Sequence, residues 1–494
     1  MIRGSFAAAP LVFAPAFVGA VAMVVTVMAS EGIASAQSPP AAPDTIAVGD
    51  WQLAPTLQLR TRGEYRRDPV DMGGMDQLGG AGSRVRDSWA IFERARLGLG
   101  AEKGVLRAQL TIQDARAWGS PAPTAILGQS GGVGGIAAYE AYVEARTSSA
   151  RPAFVRVGRQ ALTWGEGRLV SNADWSMGAR TLDAVRGHAS AGLLDFELFA
   201  AVLDSPAPLG VAAGDTAGPT RAGTQLYGLQ GAWPIDPLLK VELSAYARVS
   251  RRGQFAPDLS RFSHARAEGE TYTGSLRVAG DSRGWKYDVE GAYQLGRATG
   301  LGLGDGVARQ AFAVAGFVQR TFDQLSLTPT FRAGAGFASG DDGSSSTYHQ
   351  FDPLLGDVQT LHGAMDTFAW SNLADVNARA TIVPTTDMRA SLQYRYARLA
   401  EASGEWIGGY LQRIGSAPGS ASGSLGHELD AFLSWRPSFA SALELVGGYS
   451  ALLLGDGART ILAAQARGRL QSDGTFSPAD VAHYGYLHAT LIVP

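Results

Sequence analysis

From residue 51 onward the chain alternates apolar and polar side chains with a period of two. In Leu57–Arg66 one face carries Leu57, Leu59, Thr61, Gly63 and Tyr65, and the other Gln58, Arg60, Arg62, Glu64 and Arg66. Lys240–Val249 and Trp285–Leu295 repeat the split. A two-residue period is the signature of a strand with one apolar and one polar face. Eighteen candidate strands begin near Leu53, Ser88, Leu106, Ala138, Phe154, Thr181, Leu194, Thr224, Leu239, Thr271, Trp285, Gln310, Leu325, Ser371, Asp387, Gly426, Ala442 and Tyr484. Most would run ~9–13 residues, the length of a tilted strand crossing a bilayer. No helix is expected.

The connections sharpen the reading. Short turns are expected at 101–104, 191–192, 234–237, 280–284, 321–324 and 384–386. Between them lie long Gly-rich and polar segments at 68–86, 116–135, 161–180, 204–223, 250–270, 339–366, 400–423 and 455–482. A barrel with short periplasmic turns and long extracellular loops has this rhythm. A β-solenoid or propeller would show a repeated motif of fixed period, and none occurs. Charged residues are 18% of the chain, below the roughly 25% of soluble domains. Past residue 30 no apolar run reaches the ~18 residues of a spanning helix. Tyr65, Trp89, Trp233, Trp285 and Tyr449 stand near strand ends, as interfacial girdles require. The fold class expected is all-β, a transmembrane antiparallel β-barrel of about 18 strands.

Residues 1–36 read as a signal peptide: Arg3, an apolar run from about Leu11 to Met28, then Ala34-Ser35-Ala36. Residues 37–50 form a Pro/Ala-rich segment, and 51–494 the barrel. The destination expected is the bacterial outer membrane, with its lipid as the surrounding partner. With no Cys in the chain, thiolate metal sites are excluded.

Of the 42 basic residues only Lys103, Lys240 and Lys286 are lysine. Arginines on polar strand faces include Arg60, Arg62, Arg94, Arg96, Arg107, Arg156, Arg186, Arg248, Arg277, Arg332, Arg379 and Arg395. Acids share those faces at Glu64, Glu140, Glu144, Glu242, Asp288, Glu290, Glu428 and Asp430. Guanidinium forks bind carboxylates bidentately, so an Arg-lined lumen suits a sugar acid. Arg–Glu ladders that merely hold a lumen open are the alternative.

One segment is unusually dense in polar residues for a loop. Gly158-Arg159-Gln160 is followed by Leu162, Gly165, Arg168-Leu169-Val170, Asp174-Trp175, Gly178, Arg180 and Asp183-Ala184-Val185-Arg186. This run resembles the alginate export family of outer-membrane porins. Phe337–Asp342 with Phe351–Gly356, and His427–Asp430 with Trp435-Arg436-Pro437, are similar to it as well. The resemblance implies a monomeric eighteen-stranded barrel whose Arg-rich constriction passes a polyuronate by diffusion. It implies that Arg159, Arg168, Asp174, Arg180, Asp183 and Arg186 shape the pore and its entrance. Arg94, Arg96, Arg156, Arg332 and Arg395 join them as lumen candidates on alternation alone. Asp174 and Asp183 could instead pair with nearby arginines to hold a folded-in loop. The chain departs from the aromatic C-terminus common to outer-membrane barrels, ending Leu491-Ile492-Val493-Pro494.

The function expected is passive passage of an anionic polysaccharide or oligosaccharide, with a periplasmic export complex as a candidate partner. The alternative is a general porin for small anions or nutrients. No cofactor, metal or nucleic-acid partner is expected. No zincin pattern occurs. A lipid-modifying barrel enzyme would need a Ser and His on the outward face; His188 and Ser190 share a face, without an evident partner to orient the His. Asp341, Asp342, Asp352 and Asp357 could hold Ca²⁺, solvated turns being the alternative. Gly300–Gly306 reads as an outer loop.

Overall fold

The computed structural model describes residues 45–493 except 69, 71–86, 120–134, 150, 204–223, 251–268, 299–306, 358, 360, 412, 466–468 and 471. Residues 1–36, read above as a signal peptide, and residues 300–306, read as an outer loop, lie outside the described residues.

The alternating segments form an 18-strand closed antiparallel barrel. In order these are β1 (Trp51–Arg67), β2 (Asp87–Lys103), β3 (Leu106–Gly119), β4 (Gly135–Arg146), β5 (Phe154–Gln160), β6 (Leu182–Ala191), β7 (Leu194–Val202), β8 (Thr224–Asp236) and β9 (Leu239–Ser250). There follow β10 (Gly269–Ser282), β11 (Trp285–Ala298), β12 (Val307–Thr321), β13 (Thr330–Ala338), β14 (Leu373–Thr385), β15 (Met388–Arg398), β16 (Ser424–Trp435), β17 (Leu443–Leu454) and β18 (Val481–Val493). Each pairs with its neighbours in sequence, and β1 closes the ring on β18 from Leu57↔Val493 to Arg67↔His483. Closure leaves no unpaired edge, which a spanning sheet cannot afford in lipid. No helix among the described residues is long and apolar enough to cross a membrane.

Inward and outward positions follow the alternation. Along β2, Ala90, Phe92 and Arg94 are buried, whereas Trp89, Ile91, Leu97 and Leu99 are exposed on the outer surface. Tyrosines mark the long-loop end of the outer surface, each reaching a polar neighbour: Tyr65 to Asp87 at 3.2 Å, Tyr227 to Gln225 at 2.6 Å and Tyr272 to Glu270 at 2.9 Å. Exposed Trp51, Trp233 and Trp285 mark the short-turn end. Aromatic bodies with polar tips fit the two bilayer interfaces.

Several expectations are corrected. The strand placed near Leu325 begins at Thr330, because residues 322–329 form a wider turn closed by Phe322 N–H donating to Pro329 O at 2.9 Å. The segment 455–482 contains a nine-residue helix, α1 (Asp456–Ala464), which buries Ala458, Ile461 and Leu462 against the barrel end. Its apolar residues recur at helical spacing inside what reads as a polar loop. Two short strands, Ile46–Val48 and Thr347–Tyr348, pair with β1 and β12.

The long segments 161–181, 339–372 and 399–423 do not all stand outside. The wall is low where they leave it: β5 has 7 residues and β13 has 9. The chain therefore turns into the lumen partway up. Leu169, Val170, Phe351, Leu354, Leu355, Trp370 and Ile407 from these segments pack with Phe199, Leu226 and Tyr246 of the wall in one apolar cluster. The segments are stitched together by backbone bonds, including Ser171 N–H to Leu355 O and Leu355 N–H to Leu169 O at 2.9 Å each, and Gly409 N–H to Asp366 O at 2.8 Å.

Candidate functional site

Three inward arginines of neighbouring strands converge on one loop carboxylate. Asp174 Oδ2 accepts from Arg60 Nη2 and from Arg94 Nη2 at 3.0 Å each, and Oδ1 accepts from Arg96 Nη1 at 2.8 Å. The Asp174 carbonyl also accepts from Arg60 at 2.7 Å. Beside it, Arg62 lies 4.0 Å above the Trp175 ring and donates to Trp175 O at 2.8 Å, while Gln113 donates to Gly178 O at 3.0 Å. Burial alone would raise the Asp174 pKa; Arg94, Arg96 and Arg60 outweigh it and hold the carboxyl well below its ordinary range.

The same loop grips the far wall. Arg168 Nη1 donates to Asp288 Oδ1 at 2.5 Å and to Glu290 Oε2 at 3.2 Å, both on β11. Arg277 on β10 completes that network with Asp288 and Glu242. Arg180 donates to Ser171 O at 2.7 Å and to the carbonyls of Leu355 and Gly356, tying segment 161–181 to segment 339–372. Burial lowers the Arg180 pKa to about 10.

The other expected residues fall in distinct places. Arg156 is paired with Glu144 at 2.6 Å. Arg186 is paired with Glu197 at 2.8 Å; Glu197 also accepts from Trp164 of the loop. Arg395 is bound to Asp375 and donates to Leu361 O at 2.9 Å. Arg159 and Asp183 form an ion pair at 2.5 Å, but on the outward face. Arg159 shares the face of Val157, and Asp183 lies directly opposite Val202, both exposed to the exterior. Gly158, between Val157 and Arg159, has φ +125°, and a Cβ there would stand 2.3 Å from Ala141 O, so glycine is required at this close strand pairing. The resemblance placed these two residues at the pore; their register places them away from it.

Arg332 is different. Its guanidinium lies 3.4 Å from the Phe317 ring centroid, and among the described residues no carboxylate stands within ion-pair distance of it. Directly opposite on β14 is Arg379, which donates to Gln393 Oε1 at 2.8 Å and likewise has no described carboxylate partner. Like charges directly opposite across strands are unfavourable. Arg332 and Arg379 thus carry charge that no described carboxylate pairs with directly. Alternation placed Arg60, Arg62 and Arg379 on the polar face, but which acids would neutralise which arginines was not visible.

The remaining candidates do not converge. His188 and Ser190 share the inward face of Arg186, not the outward one. An acid is present, Asp195, but Ser190 Oγ donates to it directly at 2.5 Å, so the His does not stand between them as a base. Asp352 is buried against Arg248 and Arg309, whereas Asp341 and Asp342 bond to nearby backbone N–H groups, so the four aspartates form no common site.

A model of the alginate export family matches residues 52–468. Comparison with curated proteins finds no match. Among solved structures, OccK9 (OpdG) of Pseudomonas aeruginosa is similar at 11% identity, covering 90% of this chain and 98% of that one, TM-score 0.53. OccAB2 of Acinetobacter baumannii is similar at 11% identity, 89% and 97% coverage, TM-score 0.51. OpdK of Pseudomonas aeruginosa, solved with vanillate, is similar at 11% identity, 89% and 98% coverage, TM-score 0.50.

Proposed function

The chain belongs to the alginate export family as an outer-membrane β-barrel channel, and from that premise we propose that it passes an anionic polysaccharide or oligosaccharide by diffusion. The observation that carries the reading is the Arg332–Arg379 pair beside Phe317. A sugar carboxylate can accept from both guanidinium groups, while a sugar C–H face can rest on the aromatic ring. Around it Arg94, Arg96, Arg156, Arg168, Arg186 and Arg395 are matched by fixed acids, and Arg180 is held by backbone carbonyls. They shape the passage and keep its net field weak. Binding is then firm enough to select and weak enough to release. No residue is assigned a catalytic role.

The second reading, a porin for small anions, is favoured by one observation: three in-folded segments occupy the lumen. OpdK, of similar fold, was solved with the small carboxylate vanillate.

Planar-bilayer recordings separate the two. The exporter reading expects anion-favouring reversal potentials and block by added polyuronate. Replacing Arg332→Glu and Arg379→Glu together should weaken block by roughly tenfold or more, the scale of two lost charged hydrogen bonds. Arg159→Glu, on the outward face, should leave block unchanged. Anion selectivity without polyuronate block would establish the small-anion porin instead.

A further inference from the structure

We propose that the outer rim of strands β15 to β18 and β1 binds the phosphorylated headgroup of an outer-leaflet lipid. The inference concerns the outward face and does not depend on the cargo.

Two identical side-chain units stand on neighbouring hairpins at the long-loop end. Tyr394 Oη lies 2.8 Å from His427 Nδ1, and Tyr449 Oη lies 2.7 Å from His483 Nδ1. Each ring pair lies roughly side by side, with interplanar angles of 26° and 31°. His427 also rests on Tyr396, at 5.0 Å between centroids. A phenol donating to Nδ1 leaves the imidazole proton on Nε2 and fixes the ring. Each histidine then presents an oriented N–H donor at the interface, even when neutral.

Fixed cations share the face. Arg67 stands directly opposite His483. Arg398 is exposed one outward position beyond Tyr396, which is itself opposite His427. The acids facing this group are Asp68 and Asp87, at 3.7 and 3.8 Å from Arg67, both at the β1–β2 edge. None of the carboxylates described ion-pairs with Arg398 or His427. The histidines flank β17, opposite Leu453 and Ala451. Strand spacing and rise put them about 12 Å apart, a span suited to two phosphates of one glycolipid. Exposed Leu429, Leu392 and Leu487 continue the surface toward the bilayer centre, where acyl chains would lie.

The other side of the rim shows that this is more than a girdle. There Tyr227 and Tyr272 reach Gln225 and Glu270, and the glutamate is an acid. Donors and cations are gathered on β15–β1, where a phosphate is the complementary group.

The test is native mass spectrometry of the full-length barrel in detergent, with bis-phosphorylated lipid A as probe and its phosphate-free form as comparison. Retention of the phosphorylated form should exceed that of the other, and the variant carrying His427→Ala, His483→Ala, Arg67→Gln and Arg398→Gln should lose at least ~10-fold of it. Tyr394→Phe with Tyr449→Phe removes only the orienting hydroxyls and should weaken retention about threefold. Heat-shifted gel migration verifies that each variant is folded. Gln225→Ala on the far rim should change nothing. Equal retention of the phosphate-free lipid, or undiminished binding by the folded variants, would overturn the proposal. Displacement of the lipid by millimolar inorganic phosphate would also overturn it, by showing a free-anion site.

Discussion

Arg168 and Asp174 belong to one loop, yet they are ion-paired to opposite walls of the barrel. Arg168 binds Asp288 and Glu290 on β11, and Asp174 binds Arg60 and Arg94 on β1 and β2. Segment 161–181 is thus a strut across the lumen, held at both ends by charge. Whatever crosses the barrel passes this strut.

Removing one end should free it. Asp174→Asn leaves buried Arg94 and half-buried Arg60 and Arg96 without their shared carboxylate. Breaking a fully buried pair costs about 3–5 kcal/mol, and the partial exposure of Asp174 puts this change at or below the low end of that range. The expected readouts are a lower thermal unfolding midpoint and larger, noisier single-channel currents. Because the folded pKa of Asp174 is depressed, its contribution is fully present above the ordinary carboxylate pKa of about 4. It is lost only as pH falls through the lower folded value. Conductance steps arising from this anchor should therefore be absent between pH 5 and 8.

At the other end, Arg168→Met alone strands Asp288 and Glu290, although Arg277 still reaches Asp288 at 2.5 Å. Adding Asp288→Asn should recover part of the loss. A double-mutant cycle measured by denaturant unfolding should give a coupling of about 1–3 kcal/mol. A coupling near zero would mean that the far-wall contact does not hold the loop.

His362 supplies an acid response. It is buried within segment 339–372, and burial, then Arg395 and Arg168, pushes its pKa well below the ordinary value of 6.5. The docked loop keeps the imidazole neutral, whereas an undocked loop lets it take up a proton. Docking is therefore at full strength above pH 6.5 and weakens as pH falls below it, by up to about 1.4 kcal/mol per unit. Conductance fluctuations should rise between pH 6.5 and 5, and His362→Gln should remove that rise.

The architecture was legible because its cause is local. A residue such as Leu59 must face lipid while Arg60 faces the lumen, so every strand carries its own two-residue pattern. Loop lengths likewise record which end of the barrel each turn occupies. The alternation around Leu325 misled because Leu325 and Leu327 are exposed apolar residues in a turn, not a strand. Helix α1 was hidden by the polar composition of the segment around it.

Side-chain polarity and turn spacing are properties of neighbouring residues, and they suffice to specify a closed barrel of about eighteen strands with arginines on its inner face. What those arginines do depends on the assembled ring. Asp174 meets Arg60, Arg94 and Arg96 from far along the chain, and Arg332 faces Arg379 with no described acid within ion-pair distance of either. Charge pairing inside a closed ring depends on which strands and loops face one another across the lumen, and no local period encodes that.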